Sequence, residues 1–167
     1  MGVPGEGAGV FSLKSGLKVG VINVVGRVFL EPLDCPFRSS IKTQEEISKQ
    51  TKIIIVDMHA EATSEKVALG WYLDGRVSAV LGTHTHIQTA DEKILPQGSA
   101  YITDVGMTGP YDSVIGRKKE DVLERFLTAV PVRFEVAKED IQLHGVVLDI
   151  DEKTGKAKSI VRIQRKC

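Results

Sequence analysis

Two short apolar runs, each breaking off at histidine, limit the folds open to this chain more than any other feature. Ile53-Ile54-Ile55-Val56 is β-branched throughout and exits through Asp57-Met58-His59, while Val77 to Leu81 exits through Gly82-Thr83-His84-Thr85-His86. Runs of this length and branching read as strands buried on both faces, the kind that parallel sheets are built from. Between them, Ala62 to Lys66 opens a helix with Thr63 or Ser64 as its cap, and Asp74-Gly75 closes it. Val67, Ala68, Trp71 and Tyr72 recur at helical spacing and are expected to face the sheet. Strand, helix, strand is a βαβ unit. Ligands of open α/β sheets bind outside the carboxyl ends of the strands. Imidazoles at two such ends point to a metal or phosphate site.

The flanking sequence supplies the rest of an α/β domain. Met1 to Gly9 reads as a flexible lead-in; Val10 to Leu13 and Lys18 to Gly26 read as strands joined at Ser15-Gly16. Arg27 to Arg38 is expected to be loop, followed by a surface helix capped by Ser39 or Ser40 and ending near Gln50. A hairpin is expected from Lys93-Ile94-Leu95 to Ala100–Thr103, and a glycine-rich loop over 104–110. Lys118 to Thr128 reads as a helix presenting Val122, Leu123, Phe126 and Leu127. Strands then follow at Val132 to Val136, Ile141 to Ile150 and Ala157 to Ile163, the last two joined by a turn over 151–155. The predicted class is α/β with two packed sheets.

Composition removes several alternatives. The 167 residues carry 22 basic and 22 acidic side chains, so no global field draws the chain to nucleic acid or to an anionic membrane. No apolar run approaches the ~20 residues of a membrane span, and the amino-terminal stretch has no signal-peptide pattern. Only Cys35 and Cys167 are present, too few for a thiolate zinc cluster. Cytoplasm is the default location.

The histidines carry the chemistry. In extended backbone, successive side chains point to opposite faces, so His84 and His86 are expected to address one point while Thr83 and Thr85 turn away. Asp57 and His59 share that spacing. Imidazole with carboxylate suits zinc, iron, manganese or nickel, and the chemistry is metal-assisted hydrolysis. Plainer readings stand beside this one. Asp57 caps a turn or orients an imidazole without touching an ion. His144 is structural, Gly106 and Gly109 form a turn, Trp71 and Tyr72 are core, and Glu61, Glu65 and Lys66 form a solvated helix start.

HAEATSEKVALGWYLDGRVSAVLGTHTHIQTAD and AYITDVGMTGPYDSVIG, with VINVVGRVFLEPLDCPF before them and GVVLDID after, closely resemble the YmdB-like metallophosphoesterases. That resemblance implies a single metallophosphoesterase domain over 1–167, with a four-layer αββα sandwich of calcineurin-like type that lacks its amino-terminal strands and helices. It implies a phosphodiesterase for 2′,3′-cyclic nucleotides with two divalent transition metals (iron, manganese or zinc) about 3.5–4 Å apart. His59 and His84 then correspond to ligands of one metal and His86 to a ligand of the other. The family's amino-terminal metal-binding Asp, Glu-Asn and Asn-His motifs have no counterpart here. The chain is thus expected to match the carboxyl-terminal portion, to carry half of the site and to show little activity alone. A small phosphodiester is the implied partner. An unpaired sheet edge is expected to make the chain associate with itself. Two other readings are an inactive scaffold module and a structural zinc site.

Overall fold

The computed structural model describes residues 4–166; Met1 to Val3 of the expected lead-in, and Cys167, lie outside them. Among the described residues nine strands and three helices follow one another: β1 (Ala8–Ser12), β2 (Lys18–Val25), α1 (Pro36–Ile47), β3 (Ile54–His59), α2 (Thr63–Leu73), β4 (Ala79–Thr83), β5 (Lys93–Ile94), β6 (Ala100–Ile102), β7 (Thr108–Pro110), α3 (Lys119–Thr128), β8 (Ile141–Ile150) and β9 (Ala157–Lys166). Six strands form one mixed sheet in the order β1-β2-β3-β4-β6-β5, and three form a second in the order β7-β8-β9. β2, β3, β4 and β6 run parallel, so their carboxyl ends share one rim. The class is mixed α/β, and the βαβ unit from β3 through α2 to β4 is present.

Alternation along β3 sorts the layers. Ile54, Val56 and Met58 are buried in the main core with Leu69 and Leu73 of α2 and Ile47 of α1. Full burial of Leu69 and Leu73 stabilises the helix seat by about 1.5–3 kcal/mol each. Ile55 points the other way and packs with Leu148, Ile150 and Ile160 of the β8–β9 hairpin. Asp57 and His59 continue that second face, because residues two apart in a strand share a side, and both are only half-buried. One strand thus supplies core on one face and polar groups on the other.

Helix α2 departs from its expected orientation. Its buried residues are Glu65, Lys66, Leu69, Gly70 and Leu73, whereas Trp71 and Tyr72 are 53% and 48% exposed. The helix turns its 66–69–70–73 stripe to the sheet. Gly70 is needed there, because a Cβ would lie 2.5 Å from Tyr101 Cδ2. Hydropathy alone discounts a lysine and a glycine and so selects the wrong stripe. Lys66 and Glu65 are buried and not a solvated start.

Other boundaries shift for local reasons. α1 opens at Pro36, whose fixed φ suits a first helical turn, and Ser40 lies buried within it. Neither Thr63 nor Ser64 caps α2, where Ala62 holds the N-cap position. The 132–136 stretch forms no named strand. It pairs instead with the 116–118 backbone, Lys118 N donating to Glu135 O and Ala137 N to Gly116 O, while Glu135 N donates to Asp121 Oδ2 at 2.9 Å. On α3, Val122 is buried while Leu123, Phe126 and Leu127 are exposed. The two carboxyl-terminal hairpin strands pair as expected, with β9 running on to Lys166.

Candidate metal centre

Parallel register brings together side chains that are far apart in sequence. Asn23 on β2 lies opposite Asp57 on β3, and His59 lies opposite Thr83 on β4. Asn23 Nδ2 donates to Asp57 Oδ2 at 2.8 Å, and Thr83 Oγ1 donates to Asp57 Oδ1 at 2.8 Å. His59 Nδ1 lies 3.0 Å from Thr83 Oγ1. A threonine hydroxyl has one proton, and here Asp57 takes it. The ring nitrogen must therefore be the donor, which leaves the His59 Nε2 lone pair free. Asp57 orients the imidazole through Thr83. Thr83 faces the site instead of turning away, because its register places it beside His59.

β4 ends at Thr83, and strand alternation ends with it. His84 has φ 102° and His86 φ 68°, left-handed values uncommon for residues with a Cβ. The two rings consequently go to different places. His84 Nδ1 lies 3.0 Å from His59 Nε2, with the rings edge-to-face and their centroids 4.8 Å apart. His84 Nε2 lies 3.0 Å from Glu61 Oε2. His86 is exposed, and its Nδ1 lies 2.9 Å from the Ile115 carbonyl oxygen. The expectation that His84 and His86 address one point is not what the backbone does; it is His59 and His84 that meet.

Each ring follows the same hydrogen-bond logic. A carboxylate or carbonyl oxygen only accepts, so His84 carries its proton on Nε2 and His86 on Nδ1. His59 is held below the ordinary imidazole range, first of all by burial, which favours its neutral form. His59 Nε2 and His84 Nδ1 face each other at 3.0 Å. Two ring nitrogens at this distance need a positive charge, proton or cation, between them. An oxygen partner on the far nitrogen is the arrangement that accompanies metal-ligating imidazoles.

His59 Nε2 and His84 Nδ1 are thus the two ring nitrogens brought within reach of a single cation, while His86 stands apart from them. Among the described residues no group of three His, Cys, Asp or Glu side chains is close enough to hold an ion. A dinuclear centre needs more donors than these residues bring together.

Beneath the site lies a buried ion pair. Lys66 Nζ donates to Asp104 Oδ2 at 2.8 Å and to the Thr83 carbonyl at 2.6 Å, with both charged side chains fully buried. Asp104 Oδ2 also accepts from Thr85 N at 3.0 Å and Thr85 Oγ1 at 2.8 Å, and Oδ1 accepts from Gly106 N at 3.0 Å. Gly106 (φ 84°) thus shapes a turn around Asp104. Next to Lys66, Glu65 accepts from Arg27 N and Val28 N, at 3.0 and 3.3 Å, at the exit of β2. His144 stacks on Tyr111 with centroids 4.1 Å apart and has its pKa lowered by burial, which fits its structural reading.

Asn23, Glu61, Thr83, Lys66 and Asp104 are the polar residues bonded around these histidines that spacing did not single out. Only strand register, absent from a linear pattern, could have found Asn23 and Thr83.

Residues 1–163 match the family described as YmdB-like protein. The chain belongs to the YmdB-like family. A curated relative, the 2′,3′-cyclic-nucleotide 2′-phosphodiesterase of Bacillus subtilis (strain 168), is 56% identical over 162 residues, covering 97% of the YmdB-like chain and 61% of the relative. A crystal structure of a hypothetical protein from Thermus thermophilus superposes with a TM-score of 0.91 at 44% identity, over 99% of this chain and 64% of that one. A crystal structure of a novel phosphatase from Mycoplasma pneumoniae gives 0.85 at 40% identity, over 97% and 58%. The YmdB-like chain spans about three fifths of the length of these relatives.

Proposed function

We propose that this chain forms part of the catalytic centre of a metal-dependent phosphoesterase acting on small phosphodiesters such as 2′,3′-cyclic nucleotides. The observation that carries the proposal is the approach of His59 Nε2 to His84 Nδ1, 3.0 Å apart at the strand-exit rim. His59 and His84 would hold one divalent transition metal (iron, manganese or zinc), and His86 Nε2 would face a second. The chemistry such cations supply is polarisation of a phosphoryl oxygen and acidification of water. The chain's own groups do the positioning. Asp57 and Thr83 fix the His59 tautomer, Glu61 fixes that of His84, and the Ile115 carbonyl fixes that of His86. A four-layer αββα sandwich, with strands and helices beyond the two sheets described here, completes this proposal. Self-association belongs to it too, supported by β1, an outer strand of its sheet carrying an exposed Phe11.

Calorimetric titration with Mn²⁺ is expected to show binding by the 167-residue chain that His84→Ala removes. With Mn²⁺ or Fe²⁺ present, 2′,3′-cyclic AMP should be hydrolysed strongly by a polypeptide spanning the family's full length and hardly by this chain. Robust turnover by the 167-residue chain, abolished by His84→Ala, would overturn that division of the site. Absence of any Mn²⁺ binding would favour the second reading, an inactive scaffold module. That reading draws its support from the lack of a three-member ligand group among the described residues.

Thr83→Val keeps the shape of the side chain and removes the hydroxyl between Asp57 and His59. Outer partners of metal-bound imidazoles are typically worth 10- to 100-fold in affinity, so Mn²⁺ binding should weaken by about that factor. Unchanged affinity would show that Thr83 does not set the His59 tautomer.

A further inference from the structure

We infer that the buried Lys66–Asp104 pair is a positioning device that holds His84 aimed at His59, and so sets the cation affinity of a site it does not touch. The inference rests on the metal-centre reading given above. Its basis is how the bonds are placed around His84. Lys66 Nζ holds the carbonyl of Thr83, the residue before it, at 2.6 Å. Asp104 Oδ2 holds the backbone N–H of Thr85, the residue after it, at 3.0 Å. Both arms meet in the 2.8 Å contact between Lys66 and Asp104. His84 is thus bracketed at its two peptide bonds by one ion pair, and within the bracket its φ is 102°. A non-glycine residue stays in that region only where its surroundings over-determine it. Asp104 reaches past His86 as well: Asp104 N donates to Thr89 Oγ1 at 2.9 Å, and Thr89 N donates back to Asp104 O at 3.0 Å.

Stability does not account for this pair. A buried ion pair is commonly no more stabilising than apolar residues of the same volume. It supplies what an apolar pair cannot, three directed bonds that hold the 83–86 turn at Thr83 O, Thr85 N and Thr85 Oγ1. Lys66 comes from the first half of α2 and Asp104 from the exit of β6, so the turn is fixed against two separate elements.

The test uses the double variant Lys66→Met/Asp104→Leu in the full 167-residue chain, because it leaves no unpaired buried charge. Two quantities are read alongside thermal unfolding: Mn²⁺ affinity by calorimetry, and the nuclear Overhauser contact between the His59 and His84 rings without metal. The expected result is a folded protein whose ring contact is lost and whose Mn²⁺ affinity is down about 10- to 100-fold. A folded double variant with wild-type affinity and an intact ring contact would overturn the inference. If the double variant does not fold, Thr85→Val decides. It removes only the 2.8 Å hydroxyl bond to Asp104 and should weaken Mn²⁺ binding about 3- to 10-fold, the equivalent of one hydrogen bond, whereas no change would count against the bracket. Wild-type protein that binds no Mn²⁺ would sink the metal reading. The ring contact would still decide the positioning role.

Discussion

Asp104→Ala is expected to lower the stability of this fold by about 3–5 kcal/mol, the range for breaking a buried ion pair from one side. The carboxylate is the common acceptor for Lys66 Nζ, Thr85 N and Oγ1, and Gly106 N. Removing it leaves an ammonium in a fully buried position with the Thr83 carbonyl as its remaining hydrogen-bond partner. The measurement is the urea midpoint, with the slope unchanged if the loss is one of native stability. Adding Lys66→Met to Asp104→Ala should recover part of the loss, since the orphaned charge goes with it. By contrast, Asp112→Ala at the exposed Lys119–Asp112 pair should change little, because solvent screens such contacts. Equal effects at the two sites would show that burial is not what makes Asp104 matter.

Gly82→Ala should be nearly as damaging for a different reason. A Cβ at this position of β4 would lie 1.7 Å from the Thr103 carbonyl oxygen and 2.5 Å from its carbon. Both are backbone atoms on the segment that leaves β6, and neither can rotate aside. Val105 N also donates to Gly82 O at 2.9 Å, so moving the two segments apart breaks that bond. Overpacking of this kind costs about 3 kcal/mol, or a fall in Tm of about 6–12 °C for a domain of this size. A Tm within about 2 °C of wild type would mean that the two strand exits separate easily.

What could be read from the sequence was whatever has a local period. The β-branched run before Asp57, the βαβ succession and the Asp151–Gly155 hairpin turn each announce themselves within a dozen residues. The placement of imidazoles at two strand exits was also legible, because β3 ends at His59 and β4 one residue before His84. What stayed hidden depends on contacts across the sheet. Thr83 reads as a residue facing away until register sets it opposite His59. Alternation assigns His84 and His86 to one side, but β4 stops one residue earlier and both take left-handed backbone. Lys66 reads as solvated because hydropathy counts its charge and not Asp104, thirty-eight positions later in the chain. Trp71 and Tyr72 read as core for the same reason, since the stripe that is truly buried contains a lysine and a glycine.

The tether on His86 differs in kind from those on the other two rings. His59 and His84 are fastened to the sheet and to its first exit turn, whereas His86 is bonded to the carbonyl of Ile115. Ile115 lies between Val114 and Arg117, whose backbones bond to one another, in a loop that is bonded in turn to the 135–137 backbone. The rim histidines are therefore anchored to two separate parts of the chain, two to the sheet and its exit turn and one to the 114–117 loop.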